Sequence, residues 1–367
     1  MKTPRVLIMA GGTGGHVFPA LALARLLRAR RCDVVWLGTH AGIEARLVPA
    51  EPLPIEWIDI GGLRGKGLWT LLAAPMRLAR ALLQCLQVIA RQKPDVVIGL
   101  GGFVTGPGGL AAWLTRRPLV IHEQNAVAGF TNCCLSRLTR NVLTAFPGAF
   151  SARTAATEIG NPVRSEFFAV AEPALRFAAR AGALRVLVVG GSQGAAKLNE
   201  LVPQALKLIH AKLPVTVRHQ SGSKSLDAVR AAYSAANIPA ETTAFIDNIA
   251  QEYAAADLVI CRAGAMTISE LAAVGVAAVL VPFPAAVDDH QTRNAEYLVA
   301  AGAAVLMSER SLTPETLAAQ LSGLCQSRGA LAVMAEHARS LARPRATEDL
   351  ADACARAGGF ASRWAVA

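Results

Sequence analysis

A repeating pattern of hydrophobic and polar positions runs along most of the chain. Short runs of β-branched residues and leucine each lead into a glycine-bearing turn, and a longer stretch rich in alanine and leucine follows. Such short apolar runs predict buried parallel strands, and the longer stretches predict the helices that connect them. The pattern therefore predicts an α/β protein. The predicted strands are residues 5–10, 33–38, 94–100, 118–123 and 141–146, and then 185–190, 214–220, 257–262 and 276–283.

The two series of predicted strands begin alike. The segment VLIMAGGTGG starts at Val6, and VLVVGGSQGA starts at Val186. Each segment is a buried strand that ends in small residues and leads into a helix, which is the arrangement of a mononucleotide-binding half-fold. We therefore predict two Rossmann-like, doubly wound domains.

The length of the chain also favours two domains, because its 367 residues exceed the size at which one hydrophobic core stops growing. Gly160 and Pro162 interrupt the chain between the two series of strands, and we place the linker there. The predicted domains are residues 1–162 and 163–345. A C-terminal helix within 346–367 is expected to complete the first domain.

The composition is apolar but gives no sign of a membrane-spanning helix. Hydrophobic residues make up 53% of the chain and charged residues 17%, with a mean hydropathy of +0.37. The long uncharged windows 96–115 and 271–287 are interrupted by glycine and proline, so neither predicts a spanning helix. The N-terminal apolar run, 6–10, is too short for a signal peptide, which predicts a cytoplasmic protein.

The net charge indicates the kind of partner, and the cysteine content bears on disulfides and on zinc. The net charge of +11 predicts an anionic partner, and nucleic acid, phosphorylated substrates and an anionic membrane all fit it. The seven cysteines are scattered and form no C-x-x-C pair, which argues against a disulfide framework and against a zinc site.

Three glycine-dense turns lie between a predicted strand and a helix, at 10–21, 101–112 and 190–199. Backbone N–H groups at such a turn, together with the helix dipole, predict an anion site. In the first turn the glycines are Gly11, Gly12, Gly14 and Gly15, followed by Pro19 in what we expect to be the first helical turn. Tight turns that allow close helix packing are the alternative for any one loop. A dinucleotide site is disfavoured because G-x-G-x-x-G is not matched and the strand 33–38 leads into no acidic residue.

The segment CRAGAMTISELAAVGV, 261–276, is the most informative in the second half. A small-residue loop there opens a helix, with Glu270 expected in its first turn. A carboxylate accepts hydrogen bonds from both hydroxyls of a ribose at once. The alternative is a capping box, because Thr267-x-x-Glu270 also fits that motif.

The polar segment DDHQTRNAEYL, 288–298, follows the last predicted strand. Gln291 and Asn294 are candidate partners of sugar hydroxyls. Asp288, Asp289 and His290 at its start are either metal ligands or a solvated helix start. The chain has no D-x-D pair, so we favour the helix start and predict a reaction without metal.

Several motifs taken together resemble the MurG family of peptidoglycan N-acetylglucosaminyltransferases along nearly the whole chain. They are TGGHVFP, GLRGKG, GGFVTGPGG, HEQN, GNPVR, GGSQGA, CRAGAMT-x-SE and HQ-x-x-NA. The resemblance implies a GT-B fold, in which two Rossmann-like domains face a cleft. It also implies inverting transfer of N-acetylglucosamine from UDP-N-acetylglucosamine, held by the C-terminal domain, to the MurNAc 4-hydroxyl of lipid I, held by the N-terminal domain. The product is lipid II.

The same resemblance implies a peripheral protein at the cytoplasmic face of the bacterial inner membrane, with no cofactor, no metal and no nucleic-acid partner. Matching positions assign a donor site to Ser192, Ile246, Ala265, Met266, Thr267, Glu270 and Gln291, with Arg164 near the diphosphate, and the polar side chains of the same loops add Gln193 and Asn294. They assign the acceptor side to Thr13, Gly14, Gly15, His16 and Asn125, and the second glycine turn adds Gly102.

His16 is the first candidate for the general base, because a histidine next to a helix N-terminus is favoured in its neutral form. Binding of an acceptor phosphate is the alternative role, and His122 and Glu123 are weaker candidates for the base. Two other functions stay open, a UDP-N-acetylglucosamine epimerase of similar fold and a non-catalytic, membrane-binding scaffold.

The segment 67–93 predicts contact with an anionic membrane surface. Its polar residues recur every three or four positions, at Arg77, Arg80, Gln84, Gln87 and Arg91. This spacing puts them on one ridge of a helix and leaves a wide apolar arc, with Leu68, Trp69, Leu71 and Leu72 just upstream. Basic residues beside exposed apolar side chains are typical of an interfacial helix. A helix buried on both sides is the alternative.

Overall fold

The computed structural model describes residues 3–61, 74–190 and 195–364. Ser192 and Gln193 of the predicted donor site, and residues 67–73 of the predicted membrane segment, lie outside the described residues. The chain divides into two compact units, residues 1–163 with 345–367 and residues 164–344.

The first unit is built on a seven-stranded parallel sheet in the order β3-β2-β1-β4-β5-β6-β7. Its strands are β1 (Arg5–Met9), β2 (Asp33–Gly38), β3 (Ile55–Trp57), β4 (Val96–Gly99), β5 (Leu119–Glu123), β6 (Asn141–Thr144) and β7 (Thr157–Glu158). The chain reverses its direction of travel across the sheet between β1 and β4. In open parallel sheets, ligands bind outside the carboxyl ends of the strands at such a switch point.

Helices cover both faces of this sheet. They are α1 (Gly14–Ala29), α2 (Glu44–Leu47), α3 (Ala74–Gln92), α4 (Thr105–Leu114), α5 (Phe130–Leu135) and α14 (Ala346–Ala357). Because side chains alternate along a strand, Val6 and Ile8 of β1 pack with α1 and α14, whereas Leu7 and Met9 pack with α3 and α4. The C-terminal helix α14 is therefore part of the first unit's core.

The second unit has a six-stranded parallel sheet in the order β10-β9-β8-β11-β12-β13. Its strands are β8 (Leu184–Val189), β9 (Val215–Gln220), β10 (Ala240–Thr243), β11 (Leu258–Cys261), β12 (Ala277–Leu280) and β13 (Ala304–Leu306). Its helices are α6 (Pro173–Ala178), α7 (Ala196–Ile209), α8 (Leu226–Ala235), α9 (Ile249–Ala255), α10 (Ala265–Val274), α11 (His290–Ala300), α12 (Pro314–Leu324) and α13 (Arg328–Ser340). The strand order repeats that of β1 to β6, so the switch point lies between β8 and β11.

The sequence predicts that the two units are duplicates, because β1 and β8 lead into similar glycine-rich sequences. The hydrogen bonds at the N-terminal ends of β1 and β8 are also alike. Arg5 N donates to Asp95 Oδ2 at 2.7 Å, and Arg185 N donates to Asp257 Oδ2 at 2.8 Å. In both pairs the aspartate N–H returns a bond of 2.8 Å to the arginine carbonyl. Each unit thus joins its first and fourth strands in the same way.

The predicted α/β architecture of two doubly wound sheets is confirmed, and all nine predicted strands are present. Four strands were missed, namely β3, β7, β10 and β13. They have two to four residues, and they lie at or next to the outer ends of their sheets. Strands this short carry too few apolar positions for a pattern to be recognised. Among the described residues, none of the helices has both the length and the apolar character needed to cross a membrane.

Candidate functional site

The loops that follow β1 and β4 touch each other at the switch point of the first sheet. Gly101 and Gly102 have φ angles of +102° and +85°, a region that L side chains rarely adopt. A Cβ atom on Gly102 would lie 2.3 Å from Gly11 O, and one on Gly101 would lie 2.4 Å from His16 Nδ1. Only glycine therefore allows this approach, and Gly102 packs against backbone.

A buried carboxylate, that of Glu44 in α2, binds the backbone of the glycine loop after β1 and that of Thr39 after β2. It accepts hydrogen bonds from Gly12 N at 2.9 Å, Thr39 N at 3.1 Å and Thr39 Oγ1 at 2.7 Å. The Gly12 amide is therefore engaged by the protein and is not available to the anion site predicted at this turn. The helix start at Thr13, Gly14 and Gly15 remains the candidate anion site.

Two further details of this loop differ from the sequence-based prediction. Pro19 lies in the second turn of α1, because the helix begins at Gly14. Glu44 was missed because it lies in a four-residue helix far from the loop in sequence. A single acidic residue shortly after the β2 turn was the only signal for it.

His16, half-buried in the first turn of α1, stands at one end of a row of polar groups. His16 Nδ1 lies 3.3 Å from Gln124 Oε1, and Gln124 Nε2 lies 3.3 Å from His122 Nδ1. His122 Nε2 lies 2.9 Å from Gly160 O. Burial lowers the pKa of His122 to about 4, so its ring is neutral at pH 7. Fully buried and bonded at both nitrogens, His122 is not the base.

Glu123 is also excluded as the base, because protein donors surround its carboxylate. Asn125 donates to Oε1 from its backbone N at 3.0 Å and from Nδ2 at 3.2 Å. Gly129 N and Asn132 Nδ2 donate to Oε2 at 3.1 and 2.8 Å. The carboxylate orders the loop after β5 and orients Asn125, which is half-buried at the carboxyl edge.

In the second unit, α10 begins earlier than the sequence suggested. Gly264 is the N-cap, and the first intrahelical bond runs from Ile268 N to Gly264 O at 3.0 Å. The amides of Ala265, Met266 and Thr267 form the first turn, where a helix attracts an anion. Glu270 therefore lies in the second turn rather than the first. The capping-box alternative is wrong, because Thr267 is inside the helix.

The Glu270 carboxyl group is largely desolvated. Desolvation raises its pKa to about 7, against the opposing charge of Arg164 and with a smaller upward effect from Glu166. Arg164 in turn pairs with Glu166 at 2.8 Å and lies over the Phe167 ring. The structure thus brings Glu270 and Arg164 into electrostatic reach of each other.

Two side chains of α11 bind Ala263, which lies in the loop between β11 and α10. Gln291 Oε1 accepts from Ala263 N at 3.3 Å and from Phe283 N at 2.9 Å, while Asn294 Nδ2 donates to Ala263 O at 3.2 Å. Gln291 is half-buried, so its Nε2 amide is the group suited to donate to a ligand. Asn294 is fully buried, and its amide positions the loop at Ala263, while its contact with a sugar stays a prediction.

The remaining predicted positions also lie on the carboxyl edge of the second sheet. Ile246 is buried in the connection between β10 and α9. Asp289 is the N-cap of α11, where Thr292 Oγ1 donates to it at 2.7 Å, so the predicted helix start is confirmed. Among the described ranges, no three His, Cys, Asp or Glu side chains are grouped so as to hold a metal ion.

Comparison with known proteins identifies the family. The N-terminal domain model of glycosyltransferase family 28 matches residues 6–144, and the C-terminal domain model matches 185–353. A curated relative from Marinobacter nauticus is 55% identical over 96% of this chain and 97% of its own length. It is named UDP-N-acetylglucosamine--N-acetylmuramyl-(pentapeptide) pyrophosphoryl-undecaprenol N-acetylglucosamine transferase. A relative of the same name from Burkholderia thailandensis is 54% identical, covering 98% of each chain.

A solved structure, MurG of Acinetobacter baumannii, is 42% identical with a TM-score of 0.86, covering 96% of this chain and 99% of that one. The chain belongs to the MurG family. The GT-B fold expected from the motifs is thereby confirmed for this member of the MurG family. A UDP-GlcNAc 2-epimerase from Neisseria meningitidis also matches, with a TM-score of 0.66 but only 11% identity, and this likeness concerns the fold alone.

The raised pKa of Glu270 generates a pH prediction for this MurG family member. If ribose hydroxyls donate to Glu270, binding needs the ionised carboxylate, and the fraction ionised rises through pH 7. We expect the Kd for UDP-N-acetylglucosamine to fall by about tenfold from pH 6 to pH 8. Calorimetry with the intact sugar nucleotide measures this, because UDP itself ionises near pH 6 at its terminal phosphate.

The variants Glu270→Gln and Glu270→Ala separate this carboxyl group from others that titrate nearby. Both should bind the sugar nucleotide at least about tenfold more weakly at pH 8, equivalent to about 1.4 kcal/mol, with little dependence on pH. A Kd that is flat in the wild type, or that keeps the same slope in Glu270→Gln, would remove Glu270 from the ribose.

Proposed function

We propose that the protein transfers N-acetylglucosamine from UDP-N-acetylglucosamine to the MurNAc 4-hydroxyl of lipid I, undecaprenyl-pyrophosphoryl-MurNAc-pentapeptide, and releases lipid II and UDP. The observation that carries the proposal is the identity of 54–55% to curated transferases of that name, which extends through both units. Two features fit that chemistry. The second unit has a carboxylate, Glu270, one turn beyond a helix N-terminus, and the first unit has a histidine, His16, at a helix start.

The second unit is the proposed donor site. Glu270 accepts hydrogen bonds from the ribose hydroxyls, and the first-turn amides of α10 face the diphosphate. Gln291 donates its side-chain amide to the sugar. We extend the site to Ile246 and to Ser192 and Gln193, which follow β8 in the sequence.

The first unit is the proposed acceptor site, with Thr13, Gly14, Gly15, Gly102 and Asn125 at its edge. His16 removes the proton of the 4-hydroxyl, and the oxygen attacks the anomeric carbon of N-acetylglucosamine from the side opposite UDP. The bond from that carbon to the phosphate oxygen breaks, and its electron pair stays on UDP. Attack from the opposite side inverts the configuration at the anomeric carbon.

Charge that develops on the departing UDP needs stabilisation. We assign this to the Arg164 guanidinium and to the dipole at the N-terminus of α10. Arg164 is a fixed positive charge within electrostatic reach of Glu270, the residue proposed to hold the ribose. A protein-supplied positive charge at this place takes the role that a bound metal has in other transferases, and we propose that no metal takes part.

A direct assay tests both the reaction and its independence of metal. Lipid I and UDP-N-acetylglucosamine, incubated with the full chain in excess chelator, should give lipid II and UDP in equal amounts at a rate close to that with magnesium. A sugar nucleotide that changes into its epimer without lipid I would support the epimerase instead. Turnover that is absent in chelator and returns with magnesium would contradict the proposed leaving-group stabilisation. A protein that binds no sugar nucleotide would be a scaffold.

The surface of α3 supports a further part of the proposal, contact with an anionic membrane. Only one face of this helix is buried, through Ala81, Cys85, Val88 and Ile89, so the alternative of a helix buried on both sides is wrong. On its other faces Met76 is 80% exposed and Leu83 is 60% exposed. Several exposed apolar side chains beside arginines on one helix, as at Met76, Leu78 and Leu83, are typical of an interfacial helix.

Two arginines on the polar ridge of α3 form ion pairs within the protein, so the ridge is less available to lipid headgroups than its spacing suggested. Arg80 pairs with Asp59 at 2.8 Å, and Arg91 pairs with Glu56. Both arginines stay more than half exposed, so these pairs weaken their attraction to lipid without removing it. We propose that Arg77 and Arg80, with Met76, meet anionic headgroups at the cytoplasmic face of the inner membrane, together with residues 67–73 that lie outside the described ranges.

Vesicle binding tests this surface. The full chain should co-sediment with vesicles that contain an anionic phospholipid and dissociate as salt rises. The double variant Arg77→Glu/Arg80→Glu should bind several-fold more weakly at low salt, while its circular dichroism and melting temperature stay close to those of the wild type.

The control for net charge is Arg230→Glu/Arg310→Glu, which reverses two exposed arginines of the second unit. It should bind vesicles as the wild type does. Equal loss of binding in both double variants would indicate a non-specific charge effect, and full binding by the α3 variant would place the membrane surface elsewhere.

A further inference from the structure

The row of polar groups behind His16 has a defined direction, which begins at Gly160. The Gly160 carbonyl oxygen can only accept a hydrogen bond, and it lies 2.9 Å from His122 Nε2. His122 Nε2 therefore carries a hydrogen and donates it. Because burial keeps the His122 ring neutral, its other nitrogen, Nδ1, has a lone pair and accepts.

The acceptor at His122 Nδ1 fixes the orientation of the Gln124 amide. Gln124 Nε2 donates to that nitrogen at 3.3 Å, and the reversed amide would set its oxygen against the His122 lone pair. Oxygen Oε1 must then face His16 Nδ1, at 3.3 Å. Gln124 is buried, and Asn161 Nδ2 donates to its backbone oxygen at 3.1 Å, so the residue is held at its backbone as well as at its side-chain amide.

An amide oxygen opposite His16 Nδ1 decides which tautomer of His16 is stable. The oxygen only accepts, so Nδ1 carries the hydrogen, and in a neutral ring the lone pair is then on Nε2. The close approach of Gly101, whose Cβ atom would lie 2.4 Å from Nδ1, prevents the ring from being displaced to that side. Geometry and hydrogen bonding together set both the position and the basic nitrogen of His16.

We propose that Gln124 is a positioning residue for the transfer reaction, which holds His16 as the Nδ1–H tautomer and thereby makes Nε2 the nitrogen that takes the acceptor's proton. The direction of the amide is set by Gly160 through His122. This inference rests on the proposed function, in which His16 is the base. As the proton moves from the 4-hydroxyl oxygen to Nε2, the ring becomes positive, and the bond from Nδ1–H to the Gln124 oxygen strengthens.

A neutral amide in this place differs in effect from the carboxylate that orients histidine in many hydrolases. A carboxylate would stabilise the charged ring before the substrate arrives, whereas an amide oxygen orients the ring without adding a full negative charge. The residue type at 124 thus suits a base that has to be unprotonated when lipid I binds.

Nitrogen-15 NMR of the full chain labelled at histidine tests the tautomers directly. Above the pH at which the rings titrate, His16 should show a protonated Nδ1 and an unprotonated Nε2, and His122 should show the opposite pattern. Spectra of His16→Ala and of His122→Phe assign the two signals by their loss. A wild-type His16 that is protonated at Nε2 would overturn the proposal, whether or not the protein makes lipid II.

The variant Gln124→Met then links the tautomer to the rate. Methionine has a similar length and no amide, so His16 should lose its preference for Nδ1–H, and kcat should fall by about tenfold or more. The KM for lipid I and the Kd for UDP-N-acetylglucosamine should change by less than about twofold. Gln204→Met, at an exposed position of α7, is the matched control and should leave tautomers and rate unchanged.

Two outcomes with Gln124→Met would contradict the proposal. In the first, the tautomer of His16 changes but kcat does not; in the second, kcat falls but the tautomer of His16 does not change. A preparation in which the wild type makes no lipid II but shows the expected tautomers would count against the proposed function and leave the assignment of the row intact. The wild-type spectrum keeps the test valid even if the variant fails to fold.

Discussion

Backbone contact between the loops after β1 and β4 is the constraint on which the first unit's site depends. Gly101 and Gly102 adopt positive φ angles so that one loop can lie against Gly11 O and against the ring of His16. Any side chain there would separate the loops and displace the histidine. The parallel sheet brings the two loops to one edge, and the glycines close the remaining distance.

Buried and half-buried polar side chains hold the loops of both units in place, and each does so by satisfying backbone groups. Glu44 engages the Gly12 amide, and Glu123 engages the amide of Gly129. In the second unit Gln291 and Asn294 bind the N–H and the carbonyl of Ala263. Buried polar groups are stable only when they are paired, so such bonds fix a loop more narrowly than apolar packing does.

Much of the fold could be predicted from the sequence because buried parallel strands and glycine turns have strong local patterns. The doubling of the unit was visible in the segments at Val6 and Val186. The supports of the site were not predictable in the same way. Glu44 and Gln124 act on residues 32 and 108 positions away, and nothing in the local pattern indicates the direction of such side chains. Glu270 was assigned to the wrong helical turn, because a glycine N-cap gives a weaker signal than Thr267 does.

Steady-state kinetics of His16→Ala test most directly whether the row of polar groups serves proton transfer. Loss of a general base should lower kcat for lipid II formation by about 10²-fold or more, with the KM for lipid I little changed. Calorimetry should give an unchanged Kd for UDP-N-acetylglucosamine, since the donor is assigned to the other unit. A normal kcat with a raised KM for lipid I would contradict this, because His16 would then bind acceptor phosphate and take no part in proton transfer.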